Sequence, residues 1–276
     1  MVEPSGVKAF RLTRPRLRSP GVPLLMHRFY LPPDQCQQSS LLLTGREAHH
    51  ALHVVRVRAR ERVSVVDGAG LEFQCEVQEN DHDEVRLAVI EKRHHPAPPC
   101  QVTLLQAVPK AKIMDAIVQK ATELGTARIV PLLTERVVSH LDSEDAAHKA
   151  GKWRSVAVEA IKQCGSAWLP EVETPLTLAQ FFARNEKFEL SLIASLQDGS
   201  LSARAFFRTF CTQHGRLPKS VGVWIGPEGD FTPAETEAIE RNGALPITLG
   251  RLVLRAETAA IYCLSVINHE LQSGLL

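Results

Sequence analysis

Trp224-Ile225-Gly226-Pro227-Glu228-Gly229-Asp230-Phe231 closes an apolar run, Ser220 to Ile225, that is long enough for a buried strand. Gly-Pro-Glu-Gly then breaks the run with residues that free backbone N–H groups and permit positive φ, so a loop is expected at the strand end. Thr232 and Glu235 form a capping-box pair with Pro233 at the first helical position, which predicts a helix from there to Asn242-Gly243. The design recurs in Leu249-Gly250-Arg251-Leu252-Val253-Leu254-Arg255-Ala256-Glu257-Thr258. Leu245 to Leu249 is strand-like, Gly250 turns, and Glu257 puts an acid in the first turn of a helix. Two such strand-to-helix loops point to a ligand pocket at one edge of an α/β sheet. A plain α/β core with tight turns has the same features, and these residues alone leave both open.

Outward from this pair, 276 residues hold one large or two modest domains, and two are expected. Hydrophobic content of 44% and charged content of 23% are those of a soluble globular protein, and no apolar run approaches a membrane span. The net charge of +1 hides an asymmetry: residues 1–62 carry eleven Lys/Arg against four Asp/Glu, whereas residues 63–93 carry three against eight. One end is basic enough to face phosphates, although a solvated basic surface reads the same way. The six cysteines include no C-x-x-C pair, so neither zinc nor a disulfide framework is indicated, and a reducing, cytoplasmic setting is expected. Residues 1–25, with Arg11, Arg14, Arg16 and Arg18, lack the apolar core of a secretory signal and are expected to be a disordered basic extension, with an arm for RNA, a transit-like segment and a wrongly assigned start codon all left open.

Residues 26–95 read as short strands. Val63 to Val66, the turn Asp67-Gly-Ala-Gly70 and Leu71 to Val77 predict a hairpin; Val85, Leu87 and Val89 continue the alternation. Four or five such strands predict a small β-barrel, with Arg46 to Val57 as one short helix among them. Pro96-Ala-Pro-Pro99 marks a domain boundary. From 100 to 276 the periodicity changes. Strands at Val102 to Ala107, Arg128 to Leu133 and Leu190 to Ser195 alternate with helices at 112–124, around Trp153 to Cys164, and at Leu201 to Phe210, which predicts a largely parallel α/β sheet.

Several chemistries are disfavoured. There is no dinucleotide-binding G-x-G-x-x-G after a first strand, no phosphate loop and no nucleophile elbow. His49, His50 and His53 lack the zincin Glu and a third ligand, so a structural or RNA-facing role is expected rather than metal. Arg28, Arg46, Arg56, Arg58 and Arg60, with Lys110, Lys112, Lys120 and Arg128, are candidate phosphate contacts, and His50 joins the RNA-facing set.

Ile225 to Phe231 together with Leu249 to Ala259 resembles the paired signature of the SPOUT-class ribosomal RNA small subunit methyltransferase E family. Lys120-Ala-Thr-Glu-Leu-Gly125, Ile129-Val-Pro131, Trp153-Arg154, Glu159-Ala160, Gln163 with Gly165, and Leu169-Pro-Glu-Val172 match further blocks in the family's order. His49-His50 with Val54-Val55-Arg56, and Asp67-Gly68, resemble its N-terminal domain, and the likeness spans about residues 27–272. The resemblance implies a PUA-like β-barrel followed by a SPOUT-type α/β domain with a largely parallel, trefoil-knotted sheet. It also implies a homodimer that uses S-adenosylmethionine to methylate N3 of one uridine in 16S ribosomal RNA, alone or in the small ribosomal subunit, with no metal and no membrane. Carried over, the cofactor loops are Ala194-Ser195-Leu196, Ile225-Gly226-Pro227-Glu228-Gly229, and Thr248 to Leu254 with Leu249, Gly250, Leu252 and Leu254, beside Thr258. Arg255 is the candidate cation for a developing uridinate and Glu228 or Glu257 the candidate base. Gln163 joins the RNA-facing residues. Two departures stand out: Asp230 replaces a usual glycine, and Ser166 replaces a usual arginine. Rival readings are another SPOUT RNA methyltransferase, with a ribose 2′-O or transfer RNA target, and a non-catalytic RNA-binding assembly factor.

Overall fold

The computed structural model describes residues 26–81, 83–110, 113–136, 143–195 and 200–273; the extension 1–25, Lys112 and Leu196 lie outside them. The N-terminal part holds strands β1 (Arg28–Tyr30), β2 (Ser40–Leu43), β3 (Arg62–Val66), β4 (Leu71–Asn80) and β5 (Val85–His94), with helix α1 (Gly45–His49) continuing as a π-helical turn over His50–Val55. The hydrogen-bonded order is β1-β3-β4-β5-β2, with β1 parallel to β3 and the other pairs antiparallel. β1 and β2 are the ends of that order, yet Phe29 and Leu41 belong to one buried cluster with Val63, Phe73, Cys75 and Leu87. The sheet therefore wraps round its core without a β1–β2 ladder among the described residues. Ala48 and Ala51 close the cluster from the helix. Period-two alternation fixes this register, since each fully buried Leu or Phe is worth about 1.5–3 kcal/mol and a one-residue slip would expose all of them.

The second part alternates β6 (Gln101–Ala107), α2 (Ile113–Glu123), β7 (Arg128–Leu133), α3 (Ser143–Cys164), β8 (Glu171–Val172), β9 (Leu176–Thr177), α4 (Leu178–Ala183), β10 (Leu190–Ala194), α5 (Ala203–His214), β11 (Ser220–Ile225), α6 (Pro233–Arg241), β12 (Ala244–Ile247) and α7 (Ala256–Gln272). All ladders are parallel, in the order β12-β10-β11-β6-β7-β8, with β9 also pairing β7. Both faces are covered. On β6, Val102 and Leu104 join the cluster shared with Met114, Trp153, Phe207 and Ala260, while Leu105 and Ala107 join Phe181, Trp224, Phe231 and Ile239 on the other face. That is why these strands read as near-continuous apolar runs. The α6 capping box is present as expected, with Thr232 accepting from the Glu235 N–H and Glu235 from that of Thr232. α3 starts about ten residues earlier than the stripe around Trp153 had indicated.

Among the described residues, two sets of contacts stand out where the parts dock. The β3–β4 turn lies on residues 167–169, with the Gly70 N–H donating to Ala167 (3.0 Å) and the Leu169 N–H to Gly68 (2.9 Å). Gly70 sits at φ 98°, and a Cβ there would lie 2.5 Å from Trp168 Cζ2, so both backbone shape and space require glycine. Ser166 accepts the Trp168 N–H (3.1 Å) and donates to the Trp168 carbonyl (2.9 Å), a local turn that sets this ring against Gly70. The second contact is polar. Lys162 Nζ, its side chain 5% exposed, reaches Glu47 at 2.8 Å, Glu159 at 3.2 Å and His50 Nδ1 at 3.4 Å, while Glu47 also accepts the Tyr30 N–H at 3.0 Å.

Candidate methyl-donor pocket and nucleic-acid face

The carboxyl ends of β10, β11 and β12 adjoin in the sheet, and the loops leaving them line one cleft. This is where open parallel sheets bind ligands. Ala194 and Ser195 line it from the first loop; Ile225, Gly226, Pro227, Glu228 and Asp230 from the second; Leu249, Gly250, Leu252, Val253 and Leu254 from the third. Ala256 and Ala259 complete it from the first turn of α7. Two residues expected at the ligand do not line the cleft. Gly229 instead turns its carbonyl to the Arg136 guanidinium, and Thr258 lies exposed on α7. Leu196 lies outside the described residues.

Loop 226–230 is braced from both sides. Glu228 Oε1 accepts the Lys110 N–H from the loop after β6 at 3.0 Å, and Glu235 Oε1 accepts the Glu135 N–H from the loop after β7 at 2.8 Å. Within the loop, the Asp230 N–H donates to the Pro227 carbonyl at 2.9 Å. A Cβ on Gly226 would lie 2.6 Å from Asp230 Oδ1, so the glycine keeps the pocket wall thin where the carboxylate folds over it.

The candidate catalytic residues fall in three different places. Glu228 lines the cleft with one oxygen already engaged. Arg255 is the exposed N-cap of α7, with no ion pair among the described residues. Glu257 stands in the first turn of α7, with Oε2 buried and lacking a hydrogen-bond partner.

The RNA-facing candidates divide. Arg56, Arg58 and Arg60 are exposed on the barrel and have no ion pair among the described residues, and Arg56 and Arg60 stand at positive φ where the chain leaves the helix. Arg46 is exposed but paired with Glu159 at 3.2 Å. Its neighbours open two adjoining surface clefts that share Arg46, Ser155 and Glu159; Lys152 and Gln163 line the larger. Arg28 is half-buried, with its guanidinium against Gly165. His50 stacks edge-on to Phe29 and lies in the polar joint, where burial first and the Lys162 charge second pull it below its usual pKa. Lys110 is exposed beside the donor cleft, Lys120 pairs with Glu123, and Arg128 is engaged by Glu173 and Glu186. Lys112 lies outside the described residues. Among those residues no group of three or more His, Cys, Asp or Glu side chains is placed to hold a metal ion, and no helix is long and apolar enough to cross a membrane.

Residues missed by sequence reasoning are Asp230, Ala256 and Ala259 in the pocket and Lys162 in the joint. The two alanines had a signal, since small residues at i and i+3 in a first helical turn leave room for a ligand. Lys162 had none, because it follows Ile161 in an amphipathic helix and reads as solvated.

The RNA methyltransferase domain family matches residues 96–268, and the RNA methyltransferase PUA domain family matches residues 43–90. The expected order, a PUA-like domain followed by an α/β methyltransferase domain with a parallel sheet, is thereby borne out. The ribosomal RNA small subunit methyltransferase E of Bacillus subtilis (strain 168) is 31% identical over 254 residues, which cover 89% of this chain and 97% of that protein. Its namesake in Synechocystis is 30% identical over 255 residues, 91% of this chain and 80% of that protein. A Legionella pneumophila protein whose structure contains the bound cofactor SAM is similar with a TM-score of 0.79 at 32% identity, over 92% of this chain and all of that one.

Proposed function

This chain belongs to the ribosomal RNA small subunit methyltransferase E family, and from that premise we propose that it transfers a methyl group from S-adenosylmethionine to N3 of one uridine in 16S ribosomal RNA. The observation that carries the reading is the convergence of three strand-end loops, distant in sequence, on one cleft lined by backbone and by Leu249, Leu252 and Leu254. Apolar walls suit an adenosine ring system, and Gly226 and Gly250, lacking side chains, bring backbone polar groups close to the cleft. S-adenosylmethionine, when bound, supplies an already activated methyl group, so the protein's larger task is alignment.

The residues then divide the work. Lys110 and Arg136 hold loop 226–230 in shape through Glu228 and the Gly229 carbonyl. Uridine N3 carries a proton and becomes a good nucleophile only when it is lost, so Arg255 at the head of α7, with no ion pair among the described residues, stabilises the negative charge as it develops. Of the two acids, Glu228 lines the cleft, with Oε1 engaged by the Lys110 N–H, whereas Glu257 buries its spare oxygen away from the cleft lining, so Glu228 is the one placed to take the proton. Arg56, Arg58 and Arg60 grip phosphates flanking the target, and the clefts at Arg46, Lys152 and Gln163 continue that track toward the second domain. The target base leaves its stack to reach the cleft.

Leu252 is 76% exposed, Val253 79% and Tyr262 48%. Apolar side chains this open, two on a pocket loop and one on α7, support a homodimer whose second copy covers them. The isolated Leu201↔Ile247 bridge, which brings the segment before α5 against the end of β12, fits the threaded, knotted path that the family resemblance implies. Free cysteines throughout accord with a cytoplasmic setting.

One experiment tests the reading: purified protein, S-adenosylmethionine and small subunits from a strain lacking the gene, followed by mass spectrometry of nucleosides. Methylation at uridine N3 is expected. A modified ribose, or no transfer despite donor binding, would refute it.

A further inference from the structure

Asp230 stands where the family resemblance implies glycine, and its backbone is at φ 61°, the left-handed region that glycine occupies most cheaply. Its carboxylate is held rather than loose. Oδ1 accepts the Phe231 N–H at 2.8 Å and lies in the space that a side chain on Gly226 would fill. Asp230 lines the donor cleft, and Glu228 is the second acid on that wall. A residue kept in a costly conformation on a pocket wall is a reason to look for a function.

We propose that Asp230 makes this pocket select the cationic methyl donor over the spent product. The inference rests on the donor reading above and deepens it. S-adenosylmethionine carries a sulfonium; loss of the methyl leaves a neutral thioether while the amine, carboxylate, ribose and adenine stay the same. Donor and product thus differ by one positive charge and one methyl, and a fixed anion on the wall is the simplest way to tell them apart. Asp230 stands on the cleft wall itself, and the screening length at physiological salt is about 8 Å, so its charge reaches an occupant of the cleft. Unit charges on the order of 6 Å apart, at an effective dielectric of about 40 for a half-open cleft, change binding about tenfold. The product is then released rather than retained, which clears the site for the next turnover.

The test is calorimetric titration of the full-length protein with S-adenosylmethionine and, separately, with S-adenosylhomocysteine. Asp230→Asn keeps the shape, the local hydrogen bond and the tolerance for positive φ while removing the charge. Asp230→Gly removes the side chain and relieves the backbone, so it keeps the test valid should the asparagine variant fold poorly. Both are expected to weaken the donor about tenfold and the product less than about twofold, with the loss shrinking as salt is raised. A donor-to-product affinity ratio that stays within twofold of the wild type in both variants overturns the inference and leaves Asp230 as a loop brace. Wild-type protein that binds neither ligand overturns the donor reading itself, and the inference with it.

Discussion

Replacing Lys162 with methionine keeps the length of the side chain and deletes its charge at the point where the two parts of the molecule meet. The Lys162 ammonium is 2.8 Å from Glu47, and the two side chains are 5% and 13% exposed. At an effective dielectric of about 20 the attraction is about 6 kcal/mol, and withdrawing two ions from water costs several kcal/mol each, so the intact pair is worth little in net terms. Breaking it is another matter. Glu47 would remain buried with the Tyr30 N–H as its one partner among the described residues, whereas the more exposed Glu159 would still have Arg46. Lys162→Met should therefore cost about 3–5 kcal/mol. Combining it with Glu47→Gln removes the stranded charge while an amide oxygen still accepts from Tyr30, so the double variant should lose only about 1–2 kcal/mol. Urea unfolding monitored by tryptophan fluorescence measures both, because Trp168 lies on Gly70 at the joint and its ring N–H donates to the Pro96 carbonyl. If Lys162→Met costs under about 1 kcal/mol, or the double variant costs the sum of the two singles, the buried pair does not hold the joint as argued.

Arg255→Ala in folded protein should lower turnover at least about tenfold while leaving donor affinity, read by calorimetry, within about threefold; unchanged turnover removes it from the chemistry. Arg56→Ala and Arg58→Ala should each weaken RNA binding and together reduce the slope of log affinity against log salt by roughly 1–2, and an unaltered slope would mean that this surface does not touch phosphate. Gly70→Ala places a methyl group 2.5 Å from Trp168 at a positive φ, and should lower stability by about 2 kcal/mol or more in thermal melts compared with wild type. His50 titrates below its ordinary 6.5 in the folded chain because burial and Lys162 oppose its charge. The unfolded chain thus binds the proton more readily, so stability is present above 6.5 and declines as pH falls below it; His50→Gln should flatten that part of the stability–pH curve, and an unchanged curve would place the titration elsewhere.

What the sequence made legible follows the range of the interactions involved. The α6 capping box and the β3–β4 hairpin were readable because all their partners lie within a few residues. The early start of α3 was hidden: Ala146, Ala150, Trp153 and Ala157 do form a stripe, but three of the four are alanines, and Gly151 interrupts a stretch that is otherwise polar. The pocket loops were named from motif likeness, and their convergence depends on β12 passing outside β10, an arrangement that no local period encodes. Asp230 marks the sharper boundary. As a letter it was a mismatch in a glycine-rich turn. In the fold it is a carboxylate laid over Gly226 on the wall of a cleft, and only there does its charge acquire something to act on. The same holds for Lys162, an ordinary helix cation until Glu47 arrives from the other part of the chain, over a hundred residues away in sequence, to make it a tie between the parts. Local rules therefore predicted the elements, whereas the residues that set the energetics of the joint and of the pocket are those whose partners are brought by the topology.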